Sequence, residues 1–432
     1  MTDRGSGPED SSWGSSQREL IITLLFVEAA ALVISTLIPH PTVPFDVTVY
    51  EGAARGVLAG GVPYRDVALE YPPLALAPIV LPALARAMVP FDDFGAYQTA
   101  FLVLMGASAI GIGLVTVRIA RAWAPFAMDP IGPLVRGVLL VVIASPFILW
   151  RFDLVPALLT GVALLLTISG SALLAGVVLA AAIATKLYPA VLVPVTVAAF
   201  LATTDYRGLR DHVVGLAVTG GLLLAATVIL MPEAIGGVLS YHFGRGVQIE
   251  SSFGGIVEVG HLVGLTSGTV TDQFNSLQID ASWTPAIVAI QPLLLIGLVG
   301  LTAVAAFYAF RREHMSEGGV SLRTLIGFLV AALIAFMIGS RVLSPQYLVW
   351  LVPFAPFLRR TDFALIAAAT ALTVLVFPYL YNDLIALQPL PIWIVNVRNI
   401  LLFVVFVRIL VGAGVPAVEA ARSTEHAAPS AA

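Results

Sequence analysis

The chain has 432 residues, 59% of them hydrophobic and 11% charged, with a mean hydropathy of +0.97. Soluble domains carry about 25% charged residues, so this composition argues against a soluble enzyme, a nucleic-acid binder or a disordered scaffold. A formal charge of −4 offers nothing to a polyanion, and the absence of cysteine excludes disulfides, thiolate metal sites and cysteine nucleophiles.

What remains is a multi-spanning membrane protein. The polar head 1–19, rich in serine, glycine and acidic residues, reads as a disordered cytoplasmic tail. A helix needs about 20 apolar residues to cross a ~30 Å hydrocarbon core, and bundled spans can be shorter. By that ruler spans fall at 20–38, 96–117, 134–150, 154–168, 171–187, 188–203, 212–231, 284–309, 322–340, 346–358, 363–381 and 392–411. The first is long for a signal-peptide core and lacks a cleavage site, so it reads as a permanent anchor. Segment 74–90 is apolar but carries Pro78, Pro82 and Arg86, which leaves a thirteenth span or an interfacial helix open. The alanine-rich tail 412–432 again reads as disordered. The expected fold is an all-α polytopic membrane protein: a core over 20–411, about twelve transmembrane helices, and two substantial loops at 39–95 and 232–283.

Arginine placement orients this map. With the N-terminus in the cytoplasm and 74–90 in the interface, 14 of the 22 basic residues fall inside, 7 outside, and Arg398 within a span. If 74–90 crossed, every later basic loop would move outside. The positive-inside rule therefore selects twelve spans with both termini cytoplasmic.

The unusual polar groups then gather on the outer face. They are Asp46, Glu70-Tyr71-Pro72-Pro73, Arg151-Phe152-Asp153, Lys186-Leu187-Tyr188-Pro189, His242 to Ser251, Arg341 to Tyr347, and Asn382-Asp383. Asp46 follows Pro39, Pro41 and Pro44, which stiffen its approach. From Val47 onward Val49, Ala53, Val57 and Leu58 can share a helix face, which places Asp46 at an N-cap. A capping carboxylate worth about 1 kcal/mol and a catalytic base are equally open on the chemistry of the residues alone.

The run FDVTVYEGAARGVLAGGVPY (45–64), followed by EYPP (70–73), resembles the first external loop of polytopic glycosyltransferases of family 87. RFDLVPALL (151–159), KLYP (186–189), YHFGRGVQIES (241–251) and SPQYLVWLVP (344–353) resemble later parts of the same family. The resemblance implies a GT-C-like architecture and an inverting transfer from a polyprenyl-phosphate sugar. The carboxylate of the first external loop, here Asp46, would take the proton of the acceptor hydroxyl. Polyprenyl phosphate leaves as a stable anion and calls for cationic stabilisation. Arg245 is the first choice, because a guanidinium fork fits phosphate oxygens bidentately; Lys186, Arg341 and Arg151 are further candidates. Glu70, Tyr71, Asp153, Tyr188, His242, Gln248, Glu250 and Gln346 complete the expected substrate-contacting set. Neither metal nor cofactor is expected. The implied donor sugar is a hexose, mannose first and arabinofuranose next. The implied acceptor is a glycolipid or cell-envelope glycan outside the plasma membrane.

Each candidate also has a plainer reading. Lys186, the one lysine of the chain, sits at a span end and can snorkel to the interface. Arg151 and Asp153 can pair with each other at a tight turn between two spans, and Arg341 can anchor a span end. Tyr71, Tyr188, Tyr347 and Trp350 fit an interfacial aromatic belt better than a sugar platform. His242 and His261 lack metal-site spacing. Glu28, mid-span, needs a partner inside the bundle, and Arg398 is one conceivable choice. A secondary transporter or lipid flippase is the rival of another class, weakened because only Glu28 and Arg398 lie deep. A non-catalytic assembly partner with the same fold is a third reading.

Overall fold

The computed structural model describes residues 15–38, 45–85, 93–122, 129–273 and 276–412. The proline-rich approach 39–44, Arg86 and most of both polar tails lie outside the described residues. The first helix, α1, covers Ser15–Leu37, so residues 15–19 belong to a helix rather than to the expected tail. There follow α2 (Phe45–Leu58), α3 (Leu76–Ala85), α4 (Asp93–Ala122), α5 (Ile131–Ile148), α6 (Leu154–Ile168), α7 (Ala172–Thr185) and α8 (Val193–Ala202). The chain continues through α9 (Tyr206–Leu230), α10 (Glu233–Gly244) and α11 (Ser252–Leu262), then β1 (Thr269–Gln273) and β2 (Ser276–Asp280). It ends with α12 (Thr284–Glu317), α13 (Leu322–Gly339), α14 (Arg360–Val374), α15 (Tyr381–Ile385) and α16 (Pro389–Gly412).

Eight of the described helices are long and apolar enough to cross a bilayer: α1, α4, α5, α9, α12, α13, α14 with its continuation to Ile385, and α16. The chain is an integral, multi-pass membrane protein. Four further apolar helical segments, 73–84, 154–168, 172–185 and 188–202, are shorter. Of the doubtful stretch 74–90, the described part ends at Ala85 in a ten-residue helix, about 15 Å long at 1.5 Å per residue. That length is half a hydrocarbon core.

The expected helix at 346–358 is corrected. This stretch runs through 3₁₀ turns at Pro345–Leu351 and Ala355–Phe357. Pro345, Pro353 and Pro356 remove backbone donors and restrict an α-helix. A 3₁₀ turn rises ~2.0 Å per residue, so thirteen residues reach about as far as a much longer α-helix. The segment uses that reach. Gln346 accepts from Arg151 just beyond the end of α5, while Arg136, near the start of α5, donates to the Pro356 and Leu358 carbonyls at 3.1 and 3.0 Å.

The core is built around α13, whose residues are buried almost without interruption from Leu325 to Ala335. A helix apolar all round belongs in the middle of a bundle. Helices α7 and α9 meet backbone to backbone: a Cβ on Gly176 would strike the His212 carbonyl, and one on Gly215 the Leu173 carbonyl. The small-residue spacings visible in sequence at Gly106 and Gly111 do not make such a contact; Gly106 faces open space and Gly111 meets the Leu158 side chain.

The loop 232–283 is more ordered than the all-helical expectation allows. Strands β1 and β2 form an antiparallel hairpin, with Thr269 opposite Asp280, and Gln248 bridges to Gln278 beside it. Val247, Ile249, Val257 and Ile279 pack with Val376, Leu384, Ile392 and Val395 in a second apolar cluster. This cluster fastens the loop over the starts of α15 and α16.

The bundle has two distinct ends. One carries Asp46, Arg151, Lys186, Arg245 and Gln346. The other carries Arg136, Arg311, which donates to the Ala202 carbonyl at 3.1 Å, and Arg408, whose Nε lies 2.6 Å from Asp362.

Candidate active site

Helix α2 begins at Phe45, so Asp46 stands inside the first turn and not at the N-cap that the sequence suggested. Its carboxylate is engaged by a distant part of the chain. Arg151, in the turn between α5 and α6, places Nη2 at 2.6 Å and Nε at 2.8 Å from the same oxygen, Oδ2. The third arm of that guanidinium reaches the Gln346 side-chain oxygen. Burial disfavours the Arg151 cation, but Asp46 and the surrounding groups more than offset this and its pKa is raised. The expected Arg151–Asp153 pair is therefore corrected: Arg151 belongs to Asp46.

Asp153 belongs instead to Lys186. The Lys186 ammonium lies 2.8 Å from both carboxylate oxygens, and the Trp350 indole N–H donates to Oδ1 at 2.6 Å. The ammonium also sits 5.1 Å from the Phe152 ring centre, 5.4 Å from Tyr71 and 5.9 Å from Trp350. Burial pushes its pKa down from the ordinary lysine value, against the pull of Asp153. Lys186 does not snorkel to the interface. It ties the end of α7 to the start of α6 and to the 3₁₀ segment.

The aromatic residues expected in an interfacial belt are drawn inward. Trp350 is stacked between Tyr188 and Tyr347, each at 3.9 Å between ring centres. Both faces of the indole are thereby occupied. Tyr71 packs edge-on against Phe152 at 4.8 Å, and its hydroxyl lies 3.5 Å from that of Tyr50. The 346–350 register is pinned by these rings, which in turn holds Gln346 under Arg151.

A third group lies at the end of α10. The Arg245 guanidinium stacks 5.0 Å over the Tyr241 ring, and the Tyr241 hydroxyl donates to Glu70. The Arg245 Nε is buried and, among the described residues, has no hydrogen-bond partner. Arg245, Arg151 and Asp153 are all near enough to Tyr347 to act on it electrostatically.

Other candidates hold the frame. Arg341 donates to the carbonyls of His242 and Phe243, both at 3.1 Å, and so satisfies the otherwise open end of α10. His242 turns back on its own helix, with Nδ1 2.8 Å from the Val238 carbonyl. His261 accepts from the Gly268 amide at 3.1 Å. Among the described residues no three His, Asp or Glu side chains come together as a metal cage. Gln248 is buried and fully engaged, accepting from the Leu343 amide at 2.7 Å and donating to Ser344 and Glu250. Glu250 is buried beside Arg398, which donates to its carbonyl, and Glu258 lies near without a hydrogen-bond partner. Burial pushes the Glu250 carboxyl up to about 7, moderated by Arg398 and Arg151. Arg398 is thus the partner of Glu250 and not of Glu28, which is buried against Gly113 of α4.

Sequence reasoning missed Tyr50, Tyr241 and Glu258. The first two had a usable signal: Tyr50 is four residues after Asp46 and Tyr241 four before Arg245, the spacing of one helix face. Two open pockets elsewhere in the molecule are not lined by this cluster.

Chemically, the arrangement offers a carboxylate with one oxygen committed to arginine and one that Arg151 does not hydrogen-bond. It also offers one guanidinium whose hydrogen-bond capacity is unspent, on a rigid aromatic frame. Compared with known proteins, the chain matches no family model and no curated protein.

Proposed function

We propose that the chain is an inverting membrane glycosyltransferase that moves a sugar from a polyprenyl phosphate to an envelope glycolipid or glycan. The observation that carries this reading is the contrast among the gathered cations. Arg151 is paired with Asp46, Lys186 with Asp153, Arg341 with two carbonyls and Arg398 with the Glu250 carbonyl, whereas Arg245 keeps a buried, unpartnered Nε beside them. A leaving phosphate is the group that such a fork would satisfy.

In this reading the acceptor hydroxyl loses its proton to the Asp46 oxygen that Arg151 does not hold. The acceptor oxygen bonds to the anomeric carbon as the bond from that carbon to the phosphate oxygen breaks on the opposite face. The electron pair goes to polyprenyl phosphate, whose charge Arg245 meets. One displacement inverts the configuration. Arg151 fixes the direction of the Asp46 carboxylate, and the Lys186–Asp153 pair fixes the frame.

Twelve crossings with a GT-C-like arrangement follow if α6, α7, the 188–202 segment and the 345–358 segment each cross beside the eight long helices. The arginines Arg136, Arg311, Arg323, Arg359 and Arg408 cluster at the end away from Asp46, which by the positive-inside rule supports an external site and cytoplasmic termini. Mannose is the proposed donor sugar, with arabinofuranose second, on the family resemblance alone.

A transporter is the second reading, and Glu28 is the observation in its favour. It is 1% exposed inside a long apolar helix, with Oε2 unpartnered. The deciding experiment is mass spectrometry of envelope glycolipids from cells lacking the protein, beside solute uptake. A truncated glycan that wild-type chain restores and Asp46→Asn does not is the expected result. Unchanged glycans with an uptake defect that tracks Glu28→Gln would overturn the enzyme reading.

A further inference from the structure

The end of the bundle remote from Asp46 contains an open pocket between the start of α13, the start of α14 and the end of α16. Its lining has two kinds of surface. Arg323, Arg359 and Arg408 supply three guanidiniums, with Asp362 and Thr324 as the other polar side chains, while Phe328, Leu358 and Ile409 supply an apolar wall.

The charges are unequally spent. Arg408 is anchored by Asp362, with Nε 2.6 Å from Oδ1, and its side chain is still 41% exposed. The Arg323 and Arg359 side chains are exposed and, among the described residues, make no ion pair or side-chain hydrogen bond. Asp362 thus balances one of three positive charges. Glu313, on α12, is turned toward Thr324, which donates to it at 3.2 Å.

The backbone that presents Arg359 is fixed. Arg136 holds the carbonyls of Pro356 and Leu358, and Phe363 N–H caps the Arg359 carbonyl at 3.0 Å. Gly412 leaves the cavity open at its other side: the Arg359 guanidinium lies 3.5 Å from where a Cβ at 412 would stand.

We propose that this cavity binds the phosphate of an anionic phospholipid headgroup from the leaflet at that end. Two uncommitted guanidiniums and a third held in place match a phosphodiester, which arginine forks recognise bidentately. A basic pocket between span ends is where a membrane offers that group at high local concentration. The apolar wall suits the first carbons of the glycerol and acyl chains, which inorganic phosphate lacks. The proposal is independent of the glycosyl-transfer reading.

The test uses the full chain, reconstituted in phosphatidylcholine nanodiscs with a rising fraction of phosphatidylglycerol and then read by native mass spectrometry for retained lipid. The wild type should retain phosphatidylglycerol in preference to phosphatidylcholine. Arg323→Gln with Arg359→Gln should weaken that retention by roughly 30-fold, about fivefold for each guanidinium lost. Gly412→Leu, which fills the cavity without changing charge, should weaken it as well. A control with Arg207→Gln and Arg210→Gln, two exposed arginines at the start of α9, should behave as wild type. Equal losses in that control would reduce the effect to general surface charge and overturn the site. Displacement of the lipid by millimolar inorganic phosphate would overturn the lipid assignment in favour of a free-anion site. Retention that appears only after removal of residues 413–432 would overturn it in favour of the chain's own tail.

Discussion

Asp46 and Arg151 meet across 105 residues of chain, and both nearby nitrogens of the guanidinium, Nη2 at 2.6 Å and Nε at 2.8 Å, converge on the single oxygen Oδ2. A pair of this kind fixes the direction of a carboxylate while leaving its second oxygen outside the two hydrogen bonds. Asp46 itself is one quarter exposed at its side chain, so an acceptor can approach it. The pair thus holds the proposed base in a defined pose before any substrate arrives.

Asp46→Asn separates the two roles. The amide keeps the shape and a hydrogen-bond acceptor for Arg151 but cannot take a proton. Transfer should fall by ~10²–10⁴-fold, with a melting temperature close to wild type. Measured turnover near wild type would leave Asp46 as a partner of Arg151 and nothing more.

Arg245 is the second test. Arg245→Ala should lower turnover by ~10²–10³-fold, the usual cost of removing one donor aimed at developing charge. Arg245→Lys should recover part of this, because a point charge replaces a fork. The Tyr241–Glu70 hydrogen bond and the α10 backbone should survive both changes, so circular dichroism should not move. Full activity in the alanine variant would remove Arg245 from the proposed site.

Lys186 and Asp153 should behave as a structural unit. Asp153→Ala leaves a buried ammonium with three rings and no counter-charge, and breaking a buried pair costs about 3–5 kcal/mol. Replacing both, Lys186→Met with Asp153→Leu, should recover much of that loss, and a double-mutant cycle in detergent measures the coupling. A double variant that is stable yet inactive would show that the ammonium meets substrate.

Glu250 gives a pH dependence with a definite sign. Its folded pKa is raised from 4.5 to about 7 by burial, with Arg398 and Arg151 opposing. The carboxyl of its neighbour Glu258 is also raised, by burial first and by Glu250 next. A carboxyl raised on folding contributes stability that is complete below about pH 4.5 and is lost as pH rises through 7, here about 3 kcal/mol at most. Thermal melts between pH 5 and 8 should therefore decline toward the alkaline side, and Glu250→Gln should flatten the decline. Equal slopes in both proteins would exclude the assignment.

The orientation can be read with single cysteines, since the chain has none of its own. Ser267 is exposed in the loop before β1, and Ser316 is exposed near the end of α12. A cysteine at 267 should react with an impermeant thiol reagent in intact cells, and one at 316 should not. The reverse pattern would place the Asp46 end in the cytoplasm.

The sequence by itself determined that the protein lives in a membrane, roughly where its helices run, and which residues to watch. Apolar length is a local property, and charge placement needs only the order of the loops. Asp46, Arg151, Asp153, Lys186, Arg245 and Gln346 were all legible as polar groups at the mouths of spans. Only the tertiary structure decided who pairs with whom. Arg151 and Asp153, two residues apart, point to different partners because Arg151 lies in the turn after α5 while Asp153 is the residue that caps the start of α6. The 3₁₀ path of 345–358, the glycine contact of α7 with α9 and the hairpin after α11 were likewise hidden. Each depends on what a distant segment offers: a carbonyl for Arg136, a backbone face for Gly176, an apolar cluster for Val247 and Ile279. Hydrophobicity along a chain states that a segment is buried; what it is buried against is settled by groups far away in sequence.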